Sequence, residues 1–379
     1  MTKKIKVLLV FGTRPEVIKM APVVKELQRR RANFICKVCV TGQHRQMIDP
    51  LLKLFAIKAD YDLNIMTANQ NLEYITANVL QKVGQIIEIE KPDYLFVQGD
   101  TTSAMAASLA AFYQKIKVGH IESGLRTFNK LHPYPEEVNR RIIDSLSDIF
   151  FAHTSMARKN LLNEGVDPKN IEVTGNTVID ALLDTVRKPF RFEGTSLAHL
   201  PAKAKEAKII LVTAHRRENM GEPIINICTA LKELALKYGE KILFVYPVHL
   251  NPNIKEPVHS ILRGVKNVLL TEPLEYLPFV HLMKMSYLIL TDSGGLQEEA
   301  PSLGKPVLVL RETTERPEGV TAGCVEVIGT DKNRIVRKVS ELLENNKKFR
   351  AMSKAKNPYG DGKAAIRTID RLLKEGKRA

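Results

Sequence analysis

The chain reads as a parallel α/β protein made of two doubly wound domains, and three observations lead there. Short apolar runs alternate with helical patterns from end to end. A polar stretch without a strong period, 181–208, separates two sets of such runs. Ionisable residues gather just after the carboxyl end of nearly every run, where open α/β sheets bind their ligands. With 379 residues, 44% of them hydrophobic, the chain also exceeds one ordinary core. The boundary is placed near 176–185, after the loop Gly175-Asn176-Thr177, which assigns 1–178 to a first domain and 179–362 to a second.

The strands expected in the first half are Lys6–Phe11, Phe34–Thr41, Tyr94–Gln98, Val118–Ile121, Ile149–Ala152 and Ile171–Thr174. Those of the second are Ile209–Thr213, Ile242–Pro247, Val268–Thr271, Tyr287–Thr291 and Val307–Leu310. After the first strand comes Gly12-Thr13-Arg14-Pro15-Glu16, with Pro15 suited to start a helix and Lys19 one turn into it. After the second comes Thr41-Gly42-Gln43-His44-Arg45-Gln46. Asp100 follows the third and Glu122 the fourth, while His215 and His249 follow two strands of the second half. A stability account would put Asp, Asn or Ser at these positions as helix caps. It does not call for Arg14, Glu122, His215 and His249 together, so the set predicts an active site in the cleft where the strand ends of two domains face each other.

The stretch 286–319, SYLILTDSGGLQEEAPSLGKPVLVLRETTERPEG, is the most informative. A strand runs into Ser293-Gly294-Gly295 and then a helix, an arrangement that aims unpaired helix N–H groups at an anion. The two glycines leave no side chain between backbone and ligand. Glu298, one turn into the helix, is placed to accept from sugar hydroxyls, and Arg316 can pair with phosphate. The same stretch also fits a plain βα turn. It matches neither G-x-G-x-x-G nor Gly-Lys-Ser/Thr, so nicotinamide and ATP are not indicated.

Lys plus Arg (57) exceeds Asp plus Glu (42), which favours an anionic partner or substrate. The basic residues are scattered and lack interleaved aromatics, so nucleic acid is not expected. Cys36 and Cys39 form a C-x-x-C, but within a strand pattern that points them to opposite faces. No metal-ligand motif is present, and no metal is expected. The basic and apolar N-terminus lacks a cleavage pattern and no segment has the length of a membrane span, so a cytoplasmic location is expected without membrane insertion.

Asp100, Glu122 and Glu136 give three carboxylates for acid/base work, with His215 and several arginines beside them. The spacing of Glu136 and Arg140 puts both on one helical face. Such a set fits chemistry on a nucleotide sugar. The residues taken alone suit glycosyl transfer as well as isomerisation.

The motifs FGTRPE, TGQHRQM, QGDTTS, GHIESGLRT, PEEVNR, TAHRREN, YPVHLNP and TDSGGLQEEAPSLGKPVLVLRETTERPEG resemble, in order, those of the non-hydrolysing UDP-N-acetylglucosamine 2-epimerases. The resemblance implies the GT-B fold, with a C-terminal helix at about 363–376 crossing back to the first domain. It implies reversible conversion of UDP-GlcNAc to UDP-ManNAc for cell-surface polysaccharide, by a homodimer and without NAD or another cofactor. It further implies that UDP leaves as the C2 proton is removed, giving 2-acetamidoglucal. Asp100, Glu122, Glu136 and His215 match catalytic positions. Arg14, Lys19, Arg140, Ser293, Gly294, Gly295 and Arg316 match substrate or phosphate contacts, Glu298 the ribose ligand and Phe279 the uracil position. Gln43, Gln46, Gln70, Arg217 and His249 match a second site at which UDP-GlcNAc acts as an allosteric activator, although Asn69 stands where several members carry Arg.

Overall fold

The structure, a computed structural model, describes residues 3–42, 45–67 and 70–376, with only the backbone of Gln46. Thus Gln43, the Gln46 side chain and Asn69 lie outside the described residues. The chain forms two compact units, one of residues 1–181 with 359–379 and one of residues 182–358.

The first unit holds the strands β1 (Ile5–Phe11), β2 (Phe34–Val40), β3 (Tyr61–Asp62), β4 (Tyr94–Gln98), β5 (Lys117–Ser123), β6 (Ile149–Ala152) and β7 (Ile171–Val173). They form one parallel sheet in the order β3-β2-β1-β4-β5-β6-β7. The second holds β8 (Lys208–Thr213), β9 (Ile242–Pro247), β10 (Val268–Thr271), β11 (Leu288–Thr291), β12 (Val307–Val309) and β13 (Val325–Val327). Its order, β10-β9-β8-β11-β12-β13, repeats the first from the centre outwards. This is the doubly wound order, in which the path reverses between the first and fourth strands of each sheet.

Helices on both faces explain why the central strands are apolar on both sides. In β1, Val7 to Phe11 are fully buried, so the basic, apolar N-terminus is the middle strand of a core. The sequence reading missed β3 and β13. Both are short edge strands, and an edge strand of two or three residues leaves almost no periodic signal. Close packing across the sheet is illustrated by Gly119, where a Cβ would come within 2.4 Å of the Phe96 ring.

Helix starts follow their caps. Thr101 accepts from Ala104 N–H and Asn71 from Tyr74 N–H, each satisfying an end donor. The C-terminal helix Ala364–Gly376 belongs to the first unit and packs on the helix Arg14–Arg29. Asp180 holds its start by accepting from the N–H groups of Ala364 and Ala365 at 3.1 and 2.9 Å. Among the described residues no helix is long and apolar enough to cross a membrane.

Candidate active site

In the first unit the reversal point lies between β1 and β4, and a buried carboxylate ties the loops that follow them. Glu16 accepts from Gly12 N–H and Thr13 N–H at 3.0 and 2.8 Å, and from the Thr101 hydroxyl at 2.8 Å. Burial pushes its carboxyl above the ordinary value, with these hydrogen bonds opposing. The sequence reading passed over Glu16, although Thr13-Arg14-Pro15-Glu16 carries a capping-box pattern that signals it.

A cavity of about 380 Å³ opens at this point. Asp100, Glu122 and Glu136 all line it, with Lys19 and Asn139. Asp100 is gripped by Arg140, whose Nε and Nη2 lie 3.0 and 2.5 Å from one carboxylate oxygen. Arg140 also reaches Glu137 at 3.2 Å, so this buried guanidinium is tied to two acids rather than forming a surface pair. Asn139 donates to the main-chain carbonyl of Asp100 at 3.0 Å.

Glu122 sits where β5 loses register with β6, between Ile121 and Ser123. Its φ of +69° is a left-handed conformation that costs a non-glycine residue about 1–2 kcal/mol. Bulges re-aim side chains, and this one accompanies a carboxylate that lines the cavity. Lys19 forms an ion pair with it, both side chains nearly buried, and Asn176 donates to the same oxygen at 2.9 Å. Arg14 opens the helix that carries Lys19 and is half-buried. Asn176, read from sequence only as part of a boundary loop, is a contact that motif spacing does not reveal. Gln70 is half-buried, its side-chain oxygen accepting from Thr67 N–H at 3.4 Å.

The second unit repeats the device. Its reversal point lies between β8 and β11, and Asp292, fully buried at the end of β11, ties the two loops. One oxygen accepts from His215 N–H, Arg216 N–H and the Asn219 amide at 2.7, 2.7 and 2.9 Å. The other faces His215 Nδ1 at 3.5 Å. Burial pushes the His215 imidazole below its ordinary value; Asp292 opposes that shift, and His249 and Arg216 add to it. His249 is exposed and stacks on His215, ring centres 5.5 Å apart. Arg217 is exposed in the short turn Arg217–Asn219.

Ser293 precedes the short helix Gly294–Glu299 with an extended backbone. A Cβ on Gly294 or Gly295 would meet nothing closer than 3.7 Å, so packing within the chain does not demand these glycines. Glu298 is buried and forms an ion pair with Arg316, and its main-chain carbonyl accepts from the Asn357 amide at 2.8 Å. Gln297 accepts from Thr314 at 2.5 Å, holding the loop that delivers Arg316. Phe279 is half-buried on the helix Tyr276–Met285. The C-x-x-C thiols, by contrast, are pushed up to about 12, burial being the main cause, which keeps them out of thiolate chemistry. No cluster of metal-binding side chains occurs among the described residues.

Two doubly wound units, one with a carboxylate-lined cavity and one with a glycine turn ahead of a Glu–Arg pair, define a GT-B-class protein. Comparison with known proteins agrees on the class and narrows it. Residues 25–373 match the family described as UDP-N-acetylglucosamine 2-epimerase. The UDP-N-acetylglucosamine 2-epimerase of Escherichia coli K12 is 54% identical over 97% of this chain and 98% of its own. A crystal structure of the Neisseria meningitidis UDP-GlcNAc 2-epimerase bound to UDP-GlcNAc superposes with a TM-score of 0.89 at 52% identity, covering 98% of this chain and all of that one. The Methanocaldococcus jannaschii enzyme, in complex with UDP-GlcNAc and UDP, does so with 0.79 at 33% identity, over 98% of this chain and all of its own. The chain belongs to the UDP-N-acetylglucosamine 2-epimerase family.

Proposed function

We propose that this protein interconverts UDP-GlcNAc and UDP-ManNAc by elimination and re-addition of UDP. A base removes the C2 proton, the C2–H electrons form the C1–C2 double bond, and the C1–O electrons leave with the β-phosphate oxygen of UDP. The resulting 2-acetamidoglucal is reprotonated at C2 on the opposite face, and UDP adds back at C1. Inversion at C2 therefore needs acid/base groups for both faces of one sugar. The observation that carries the reading is that Asp100, Glu122 and Glu136 line a single cavity. Lys19 is paired with Glu122 and Arg140 with Asp100, so each carboxylate is held in place by a cation.

The second unit supplies the contacts to UDP. Ser293, Gly294 and Gly295 present backbone N–H groups to phosphate, and the absence of any internal need for those glycines fits a ligand that comes close. Glu298 serves the ribose hydroxyls, Phe279 the uracil, and Arg316 balances phosphate charge, while Arg14 and Lys19 belong to the first unit and are read as substrate contacts there. His215, neutral before the diphosphate arrives, assists its departure. Allosteric activation by UDP-GlcNAc through Gln43, Gln46, Gln70, Arg217 and His249, a homodimer, a cytoplasmic location and supply of ManNAc units for cell-surface polysaccharide complete the proposal.

Substrate carrying oxygen-18 in the bridge between C1 and the β-phosphate tests the elimination. Breaking C1–O frees the β-phosphate to rotate, so label scrambles into non-bridging positions of recovered UDP-GlcNAc. Retention of all label in the bridge while UDP-ManNAc accumulates rejects the C–O cleavage step. For the regulation, initial rates from UDP-ManNAc should show a lag that trace UDP-GlcNAc removes. Strictly hyperbolic rates that trace UDP-GlcNAc leaves unchanged reject activation.

A further inference from the structure

We infer that His120 is a buried positioning residue that holds Asp100 and Glu122 in place, a role that rests on those two carboxylates being acid/base groups of the reaction. His120 lies on β5, 1% exposed. Its Nε2 is 2.7 Å from the main-chain carbonyl oxygen of Gly99. A carbonyl only accepts, so Nε2 carries a proton. Its Nδ1 is 2.6 Å from one oxygen of Asp144, on the helix Glu136–Leu146. The other Asp144 oxygen accepts from Arg126 at 2.6 Å and from Gly124 N–H at 3.2 Å. Burial raises the Asp144 carboxyl, but His120 and Arg126 outweigh it and hold the group below its ordinary value. The ring therefore bridges the Gly99 carbonyl on one side and Asp144 on the other.

The flanking strands bring no competing charge: the residues paired with His120 are Val97 on β4 and Phe150 on β6. The charged groups of the cluster are Asp144, Arg126 and Glu164, the last bonded to Arg126 at 2.6 Å. Removing the ring therefore leaves buried polar groups on both sides without their partner.

The cluster grips the main chain on both sides of the proposed chemistry. Through His120 it fixes the carbonyl of Gly99, the peptide that leads into Asp100. Through Asp144 it fixes Gly124 N–H, two residues beyond Glu122. Glu122 thus sits, at positive φ, between His120 and an anchored Gly124. A carboxylate that must meet one carbon of a sugar gains from such fixing, because small displacements of catalytic groups are costly to rate.

The test uses the full chain. His120→Asn and Asp144→Asn, where folded by circular dichroism, should lose kcat by ~100-fold with KM and UDP affinity near those of wild type. Wild-type kcat in a folded His120→Asn, or a loss that falls on KM and UDP affinity rather than on kcat, overturns the inference. Asp100→Asn, assayed alongside, tests the underlying reading separately: full activity there rejects the acid/base assignment whatever His120 does.

Discussion

Asn176 donates its side-chain amide to Glu122 at 2.9 Å, and through its main-chain N–H it bonds the Tyr359 carbonyl at 2.6 Å. The returning C-terminal segment is thereby linked, through one residue, to a carboxylate of the cavity. Replacing Asn176 by Asp sets a second acid against Glu122 and leaves Lys19 to serve both. Like charges at this range raise one carboxyl of the pair. The expected outcome is a loss of kcat of roughly tenfold or more and a shift of the acidic limb of the kcat profile to higher pH, with UDP affinity retained. Initial rates across pH 6–9 measure it.

Asp292→Ala removes the acceptor of three buried donors in the His215 loop. Each orphaned donor costs about 1–3 kcal/mol, so a stability loss of several kcal/mol is expected. Thermal unfolding of the variant measures that loss. Isothermal titration with UDP should show affinity falling as well, because the loop that carries His215, Arg216 and Arg217 loses its anchor.

Burial holds the His215 imidazole below its ordinary value in the free protein. A diphosphate placed beside it favours the protonated form. Binding of UDP should therefore take up a proton, and affinity should rise as pH falls from about 8 towards 6. Titration in buffers of different ionisation enthalpy counts the proton. In His215→Asn the uptake should be absent.

Asp180 caps the C-terminal helix, and burial pushes its carboxyl up to about 6, with the Ala364 and Ala365 N–H bonds opposing. A folded value above the unfolded one means that the native state binds the proton more tightly. The contribution is fully present below the unfolded value near 3.8, and it is lost as pH rises through about 6. The size is on the order of 3 kcal/mol between those limits. In Asp180→Asn, the stability measured by urea unfolding should change less between pH 4 and 7 than in wild type.

Most of the two-sheet architecture was legible because central parallel strands are continuous apolar runs bounded by polar loops, as β1 and β4 show. Edge strands β3 and β13 were not, since two or three residues carry no period. At the candidate site, position after a strand pointed to Asp100, Glu122 and His215. The groups that hold them were hidden for a physical reason. Asn176 and Asp144 are distant in sequence from Glu122 and His120, and only folding makes them neighbours. The bulge at Glu122 was equally silent, because no local residue pattern required positive φ there.

The central claim, proton removal at C2 by carboxylates of this cavity, is tested most directly by proton NMR of UDP-GlcNAc incubated with the pure protein in D₂O. The account predicts UDP-ManNAc bearing deuterium at C2, and no such product with Asp100→Asn although that variant still binds UDP. UDP-ManNAc that keeps its C2 proton in D₂O, or full activity in Asp100→Asn, would contradict it.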